Sequence, residues 1–408
     1  MTLVSYLMSV LFPSVLVLTA ILAWLVPVLM WRGLGTSALR QTFVLLSIGF
    51  SAIFFSAAHG VFLGWGQIFA VNLPLLAMFV AVAFLTLTNQ TYDDPSLPKG
   101  NGAVVTTALG THFLGAVINL SVLFVFGDRL QKNGKLTREQ MIILARTFSA
   151  AAWWSPFFIA TGVALTYAPD MLWKETLVPG VIMSVLAISY TVVEVCWIRK
   201  KEFSGYPIRF ESLVVPMFLA GVVICGHHFW YEMNILILIC LVSPLGAFLF
   251  MQGRPRGAAL KEFVQHRIKS VNSQFALFLA AGVFSTGLKS ITHVYPALFS
   301  LEGLQFTPLL FAVVLGIMLV VGFMGVHPLV SIAIVSPLLL PLNPDHSQLA
   351  FMFLCSWAVC TGSSPLSGVG LALVSRYHAS PRQIIQSNYH YVIIMWLAAS
   401  LMNVLCFS

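Results

Sequence analysis

Charge is the scarcest commodity in this sequence: Asp, Glu, Lys and Arg supply 8% of its 408 residues, against 59% hydrophobic ones. A soluble domain carries about 25% charge, so this scarcity excludes an ordinary soluble protein and leaves a polytopic, all-α membrane protein. No block of soluble composition, nucleotide-binding glycine loop or phosphate-loop lysine is present, and ATP-driven transport within the chain loses its footing. A driving force must then come from an ion gradient or a separate partner. The six cysteines, Cys196, Cys225, Cys240, Cys355, Cys360 and Cys406, lack the short paired spacings of zinc or redox-dithiol sites and read as small core residues. No His-Glu-x-x-His, no Gly-x-Ser-x-Gly and no paired intramembrane aspartates suggest a hydrolase, so the expectation is a protein that is not an enzyme. The opening residues, Met1 to Tyr6, have no basic stretch, and no small-residue cleavage pattern follows. The first apolar segment is therefore expected to remain as a span.

What is abundant is apolar length. A span needs about 20 apolar residues to cross a hydrocarbon core of about 30 Å. By that ruler spans are expected at 8–31, 42–64, 67–88, 103–127, 177–198, 272–288, 306–325 and 388–406, with a shorter pair at 212–225 and 234–251. Segments 327–340, 141–168 and 348–375 fit badly, the last two being too long for one perpendicular span and too short for two. A broken or re-entrant helix suits them better. In all, 10–13 hydrophobic segments are expected.

Two stretches of the chain look like copies of each other, each with a His in an apolar run and, further on, a Ser-Pro dyad inside one of these misfit segments. The first copy reads Gly110-Thr111-His112-Phe113-Leu114 and then Ser155-Pro156-Phe157-Phe158; the second reads Gly325-Val326-His327-Pro328-Leu329 and then Ser364-Pro365-Leu366-Ser367. Pro156 and Pro365 each remove a backbone donor and clash with the preceding turn, and small residues (Ser149 to Ala152, Thr361 to Ser364) leave room for a break. Interrupted segments at corresponding places in two halves are the signature of a repeat-built secondary transporter. The plain alternative for either segment is a proline-kinked helix without a ligand.

The net charge of +8 lies in short loops, where it sets topology and gives no reason to expect nucleic acid. Three loops hold most of it: Arg129, Lys132, Lys135 and Arg138; Arg199, Lys200, Lys201 and Arg209; and Arg254, Arg256, Lys261, Arg267 and Lys269. With these and the Arg376–Arg382 region in the cytoplasm, the other side keeps Arg32, Arg40, Lys99, Lys174 and Lys289, and the two copies run in opposite senses. The expected layout is 1–41 as an N-terminal span and loop, 42–198 as repeat 1, 199–271 as linking scaffold and 272–408 as repeat 2.

Ionisable groups inside apolar segments are costly and so become functional candidates. His112 and His327, read as equivalent in the two copies, suit a proton-coupling or substrate-orienting role, or else are hydrogen-bonded packing residues. Hydroxyls and backbone donors at the breaks form the candidate substrate site: Ser155, Pro156 and Thr161 in the first copy; Thr361, Gly362, Ser363, Ser364, Pro365 and Ser367 in the second; and Asn119, about two turns past His112. Half-helix N-termini there would favour an anion such as a carboxylate, and carbonyl ends could hold sodium. Ser/Thr back-bonding inside ordinary helices is the bland reading. Trp153 and Trp154 read as packing, Arg146 as snorkelling to the headgroups, and Asp128 and Glu194 as residues near span ends. His227, His228 and Glu232 form a metal-like cluster better explained as a turn, so no metal site is expected.

The Thr361-Gly362-Ser363-Ser364-Pro365-Leu366-Ser367-Gly368 stretch resembles the small-residue, Ser/Thr-Pro tips of the ion transporter superfamily, which groups divalent-anion/sodium symporters, citrate transporters, and arsenite and sodium/proton antiporters. The resemblance covers roughly 42–198 and 272–406 and implies two inverted repeats, each with a re-entrant hairpin and a discontinuous helix whose tips hold substrate and coupling ions. The first copy departs from the pattern by placing Trp153 and Trp154 where small polar residues are usual. The expected function is a multi-pass inner-membrane transporter that moves a small anion, such as an organic carboxylate, by alternating access. Na+ or H+ is the coupling ion, no cofactor is expected, membrane lipid surrounds the chain, and a homodimer is an open option. Two other readings stay open: a lipid or polyprenyl-phosphate flippase or membrane subunit of an envelope-polymer pathway, with Arg146 and Arg376 facing a lateral groove, and a purely structural membrane partner.

Overall fold

The computed structural model describes residues 1–88, 97–207, 210–229, 234–251, 256–263, 272–299 and 305–407. Arg209, Glu232, Arg254, Arg267 and Lys269 lie outside the described residues. In chain order the helices are α1 (Thr2–Leu11), α2 (Val15–Leu29), α3 (Thr36–Ala58), α4 (Trp65–Ala70), α5 (Leu73–Ala83), α6 (Asn101–Ile118), α7 (Ser121–Leu130), α8 (Arg138–Ser149), α9 (Ile159–Tyr167) and α10 (Trp173–Val193). They continue as α11 (Phe210–Phe229), α12 (Ile235–Phe250), α13 (Arg256–Glu262), α14 (Asn272–Val294), α15 (Pro296–Phe299), α16 (Pro308–Phe323), α17 (Pro328–Leu339), α18 (His346–Ser363), α19 (Gly368–Tyr377) and α20 (Pro381–Phe407). Among the described residues the only β-type pairings are two isolated bridges. Seven stretches are long and apolar enough to cross a bilayer, Trp173–Arg199, His346–Tyr377 and Pro381–Phe407 among them. The protein is an all-α polytopic membrane protein.

The chain forms two compact units, each assembled from distant parts of the sequence. One comprises Met1–Leu87, Gly226–Gln305 and Ile332–Pro344. Its centre is the pair α3 and α14, which run side by side in the same direction: Gly49 lies against Gly287, and further along Phe55 stacks on Tyr295. A Cβ on Gly287 would come within 3.1 Å of the Ala52 Cβ, so the close approach of the two helices depends on glycine. The segment 8–31, expected as one span, is two helices, because Phe12 is extended and Pro13 cannot continue α1. Asn72 interrupts the expected span 67–88 between α4 and α5, and its side-chain amide donates to the Phe278 carbonyl of α14 at 2.6 Å.

The other unit comprises Thr88–Cys225, Phe306–Ser331 and Asp345–Ser408. Both long misfit segments are broken here. The first runs as α8, a 3-10 turn over Ala150–Trp153, an irregular stretch and then α9; the second runs as α18, the break at Ser364–Ser367 and α19. Thr137 starts α8 with a capping box, its hydroxyl taking the Gln140 N–H while the Gln140 side chain takes the Thr137 N–H. The two broken helices lie antiparallel. Ser149 meets Gly362, and Trp153 donates to the Cys355 sulfur at 3.3 Å; moving forward along one helix means moving backward along the other.

The expected span 103–127 is instead a hairpin folded at Asn119, whose φ of 52° ends α6. Lys99 forms a bridge with Ser204, the Gln140 side chain donates to the Ser204 carbonyl at 2.9 Å, and only a tight Lys132–Lys135 turn separates α7 from α8. The hairpin therefore enters and leaves on the side where α8 begins. Lys99 joins Arg138 and Lys201 there, which corrects its expected place on the opposite side. A continuous span would have exported this lysine; the re-entrant fold keeps it with the other basic residues.

The second copy is built the same way, upside down. Helix α16 runs alongside α18 in the same direction, with Phe311 stacked on Phe351 near their starts and Gly322 against Cys360 near their ends. The turn after α16 holds Gly325 at φ +108, and this glycine packs on Leu366 of the second break. On the side opposite Lys99, the Asp170 and Leu172 N–H groups donate to His346 and Ser347 at the start of α18. The repeats are inverted.

Candidate functional site

Each Ser-Pro dyad makes the same turn. Proline offers no N–H, so the next available donor folds back: Phe157 N–H reaches the Ser155 hydroxyl at 3.2 Å, and Leu366 N–H reaches the Ser364 hydroxyl at 3.3 Å. The first break is tied to its hairpin. The Ser155 hydroxyl donates to the Ala116 carbonyl, the Asn119 amide donates to the Phe157 carbonyl at 3.1 Å, and the Thr161 hydroxyl folds onto the Ser155 carbonyl at 2.7 Å. Among the expected site residues, Ser155, Pro156, Thr161 and Asn119 are thus brought together.

At the second break Ser367 caps α19, its hydroxyl accepting the Gly370 N–H at 3.0 Å and lying 2.8 Å from the Thr361 and Ser364 carbonyls. Thr361, Gly362, Ser363, Ser364, Pro365 and Ser367 form one continuous elbow. Gly362 leaves a gap that Ser149 of the first broken helix faces, with the Ser149 oxygen 3.3 Å from where a Gly362 Cβ would sit. The Ser149 and Ser363 hydroxyls are buried and meet no protein partner. Orphaned hydroxyls where two broken helices cross are what a polar ligand would satisfy. Ser149 supplied only small size to the sequence reading; its facing position was invisible without the crossing.

The two histidines are not equivalent. His112 lies within α6, ahead of the hairpin turn, whereas His327 follows α16 in the turn itself, the place Asn119 holds in the first copy. Short flanking motifs aligned the sequences; the helix lengths do not. His112 is buried, its Nδ1 3.1 Å from the Thr147 carbonyl and its Nε2 receiving the Trp154 indole N–H at 3.0 Å. His327 starts α17, its Nδ1 accepting the Leu329 N–H at 3.2 Å, with its ring edge-on to Trp357.

Both arginines near the site are committed elsewhere. Arg146 is fully buried, not snorkelling: it donates to Glu194 at 2.6 Å, to the Asn388 side chain at 2.8 Å and to the Ser387 carbonyl at 2.6 Å, and sits 4.5 Å over the Tyr391 ring. Glu194, expected as an interface residue, opens a π-helical turn that closes α10 and also takes Arg199 at 2.7 Å. Arg376 of α19 forks onto Asp128 of α7 at 2.6 and 2.8 Å, and the Tyr377 hydroxyl joins the same carboxylate at 2.9 Å. The returning arm of the first hairpin is thereby fastened to the second broken helix. Among the described residues no group of His, Cys, Asp and Glu is placed to hold a metal ion.

No protein-family model matches the chain, and no curated protein resembles it in sequence. In structure it is similar to the YdaH transporter of Alcanivorax borkumensis, whose crystal structure was described as having an unusual topology. The two share 12% sequence identity and a TM-score of 0.56 over 89% of this chain and 98% of that one. The likeness is one of fold. It extends over almost the whole neighbour, so both compact units belong to the comparison.

Proposed function

We propose that the protein is a secondary transporter that moves a small anion, such as an organic carboxylate, across the inner membrane by alternating access, coupled to protons or sodium. The observation that carries this reading is the antiparallel crossing of two broken helices with the unpartnered Ser149 and Ser363 hydroxyls beside it. Non-helical backbone at membrane depth persists where protein buries it or where it lines a cavity, and such breaks in transporters bring helix ends to the cargo. The transporter fold of the structural neighbour and the resemblance of the Thr361–Gly368 stretch to ion transporter superfamily tips support it.

The commitments of Arg146 and Arg376 sharpen the cargo. With both guanidiniums engaged, an anion would be met by backbone N–H groups and by the hydroxyls of Ser149, Ser363 and Ser364. Such a neutral donor set suits one small, singly charged head better than a polyphosphate. The same commitments keep Arg146 and Arg376 from lining the basic groove that a polyprenyl-phosphate flippase would need. A thermal-shift screen of the detergent-purified protein tests the reading, using small carboxylates, inorganic anions, amino acids and lipid phosphates at two pH values with and without sodium. A ligand at 100 times its dissociation constant should stabilise by about 2.7 kcal/mol. A soluble anion whose effect grows with acid or sodium supports the proposal; stabilisation by lipid phosphates alone overturns it in favour of a flippase.

A further inference from the structure

Trp154 occupies the ring nitrogen of His112 that a proton would need. An indole N–H can only donate, so His112 Nε2, 3.0 Å from it, must present its lone pair. The Thr147 carbonyl can only accept, so Nδ1, 3.1 Å away, must carry the hydrogen. Hydrogen-bond chemistry thus fixes His112 as a neutral ring in the Nδ1–H form with both nitrogens used. Placing a proton on Nε2 would set two N–H donors head to head. In this conformation the ring cannot take up a proton unless the indole leaves.

Among the described residues, the charged groups on the elements packed against α6 are engaged elsewhere or stand at the helix ends. The ring contacts of His112 are Phe113 and Trp154. On α8, Arg138 turns to Ser387, Glu139 toward Lys201 and Arg146 to Glu194. On α7, Asp128 is held by Arg376, and Arg129 lies in the last turn. On α10 and its π turn, Glu194 takes Arg146 and Arg199, Tyr190 packs near Arg146 and Tyr391, Cys196 packs in an apolar cluster, and Lys174 and Glu175 stand in the first turn. The 3-10 turn that leads into the break contributes no charge.

Trp154 is also the residue directly before Ser155-Pro156, where the backbone leaves the 3-10 turn, and it is half-buried while His112 is buried. Any rearrangement of the first break therefore moves the indole. We propose that Trp154 is a proton gate on His112: the imidazole is protonated only in conformations in which the first break has withdrawn the indole, so proton uptake and movement of the break are one event. This rests on the transporter reading above and supplies its proton-coupling device. It also assigns a function to Trp154, one of the two tryptophans that depart from the small-residue pattern.

The test is spectroscopic and needs neither cargo nor flux. Histidines are labelled with 15N in the detergent-purified protein, and the His112 signals are identified by their loss in His112→Gln. Wild-type His112 is expected to show the neutral Nδ1–H form across pH 5–8, and Trp154→Phe, which keeps the ring bulk but not the donor, is expected to hold about tenfold more imidazolium at the same acidic pH. An Nε2–H form in the wild type, or equal proton uptake in both proteins, overturns the gate, and the wild-type spectrum decides even where the variant does not fold. The movement is read separately by thiol labelling of Phe158→Cys in a background without reactive cysteines. Acid below that range should increase labelling when His112 is present and not in His112→Gln, with labelling unchanged across pH 5–8 in both; equal acid responses overturn the coupling. A ligand screen without hits would leave these spectra unchanged, so failure of the transporter reading is distinguishable from failure of the gate.

Discussion

Arg146 and Glu194 meet at 2.6 Å with the arginine wholly removed from solvent. The pair joins the first broken helix to α10, while the remaining guanidinium nitrogens reach Ser387 and Asn388 on α20. The α8 half of the broken helix is thereby anchored to its neighbours. Removing one partner of a buried pair strands the other charge and costs about 3–5 kcal/mol. Arg146→Ala is therefore expected to lower the unfolding midpoint sharply. Arg146→Lys should not rescue it, because an ammonium cannot serve Glu194, Asn388 and the Ser387 carbonyl in one plane. The double variant Arg146→Met/Glu194→Met should regain only part of the loss, since it leaves no unpaired charge from the pair itself but strands Arg199, the Asn388 side chain and the Ser387 carbonyl. Detergent unfolding curves that barely separate Arg146→Ala from wild type would show that the network does not hold the helix.

The second break can be probed with two glycines in the same helical turn. A Cβ on Gly370 would strike the Ser364 carbonyl and come within 2.6 Å of the Pro365 backbone, whereas a Cβ on Gly368 would meet nothing within 4 Å. Gly370→Ala is expected to destabilise by about 1–3 kcal/mol through overpacking and to weaken any ligand held at the elbow. Gly368→Ala should be neutral or stabilising by up to about 1 kcal/mol, as alanine favours the helix. Thermal unfolding of the two variants side by side makes the comparison; equal behaviour would mean that the elbow is looser than its packing.

Much of the membrane architecture was legible in the chain, and what escaped did so for physical reasons. Ser155-Pro156 and Ser364-Pro365 announce their breaks because proline deletes a donor wherever it stands. Asn119 does not announce the hairpin: one polar residue in an apolar run is compatible with an uninterrupted helix, and nothing local reveals that its φ is positive. Lys99 was misplaced as a direct consequence. Arg146 read as snorkelling because its partners, Glu194, Ser387 and Asn388, are 48, 241 and 242 residues away along the chain. The likeness of His112 and His327 was a likeness of flanking motif, and only helix length exposed the mismatch. Ser149 and Trp154 looked like filler in the sequence; each acquires chemistry from a residue facing it on another helix.

The re-entrant course of α6 and α7 makes a prediction that hydropathy alone would reverse. Lys99 and Lys132 are both exposed and flank the hairpin, one before α6 and one after α7. If residues 101–130 crossed the bilayer once, the two would face opposite compartments. With the turn at Asn119 and both ends anchored near Ser204 and the start of α8, they face the same one, and the positive-inside rule makes it the cytoplasm. Lys99→Cys and Lys132→Cys, each in a background lacking the exposed Cys225 and Cys406, should both react with a membrane-impermeant maleimide in inside-out vesicles and both be protected in right-side-out vesicles. Labelling of Lys99→Cys from the outer face would turn the hairpin back into a span. It would also separate Asn119 from the Phe157 carbonyl and dismantle the first half of the site, because a crossing helix could not bring its midpoint and both of its ends to the contacts seen here.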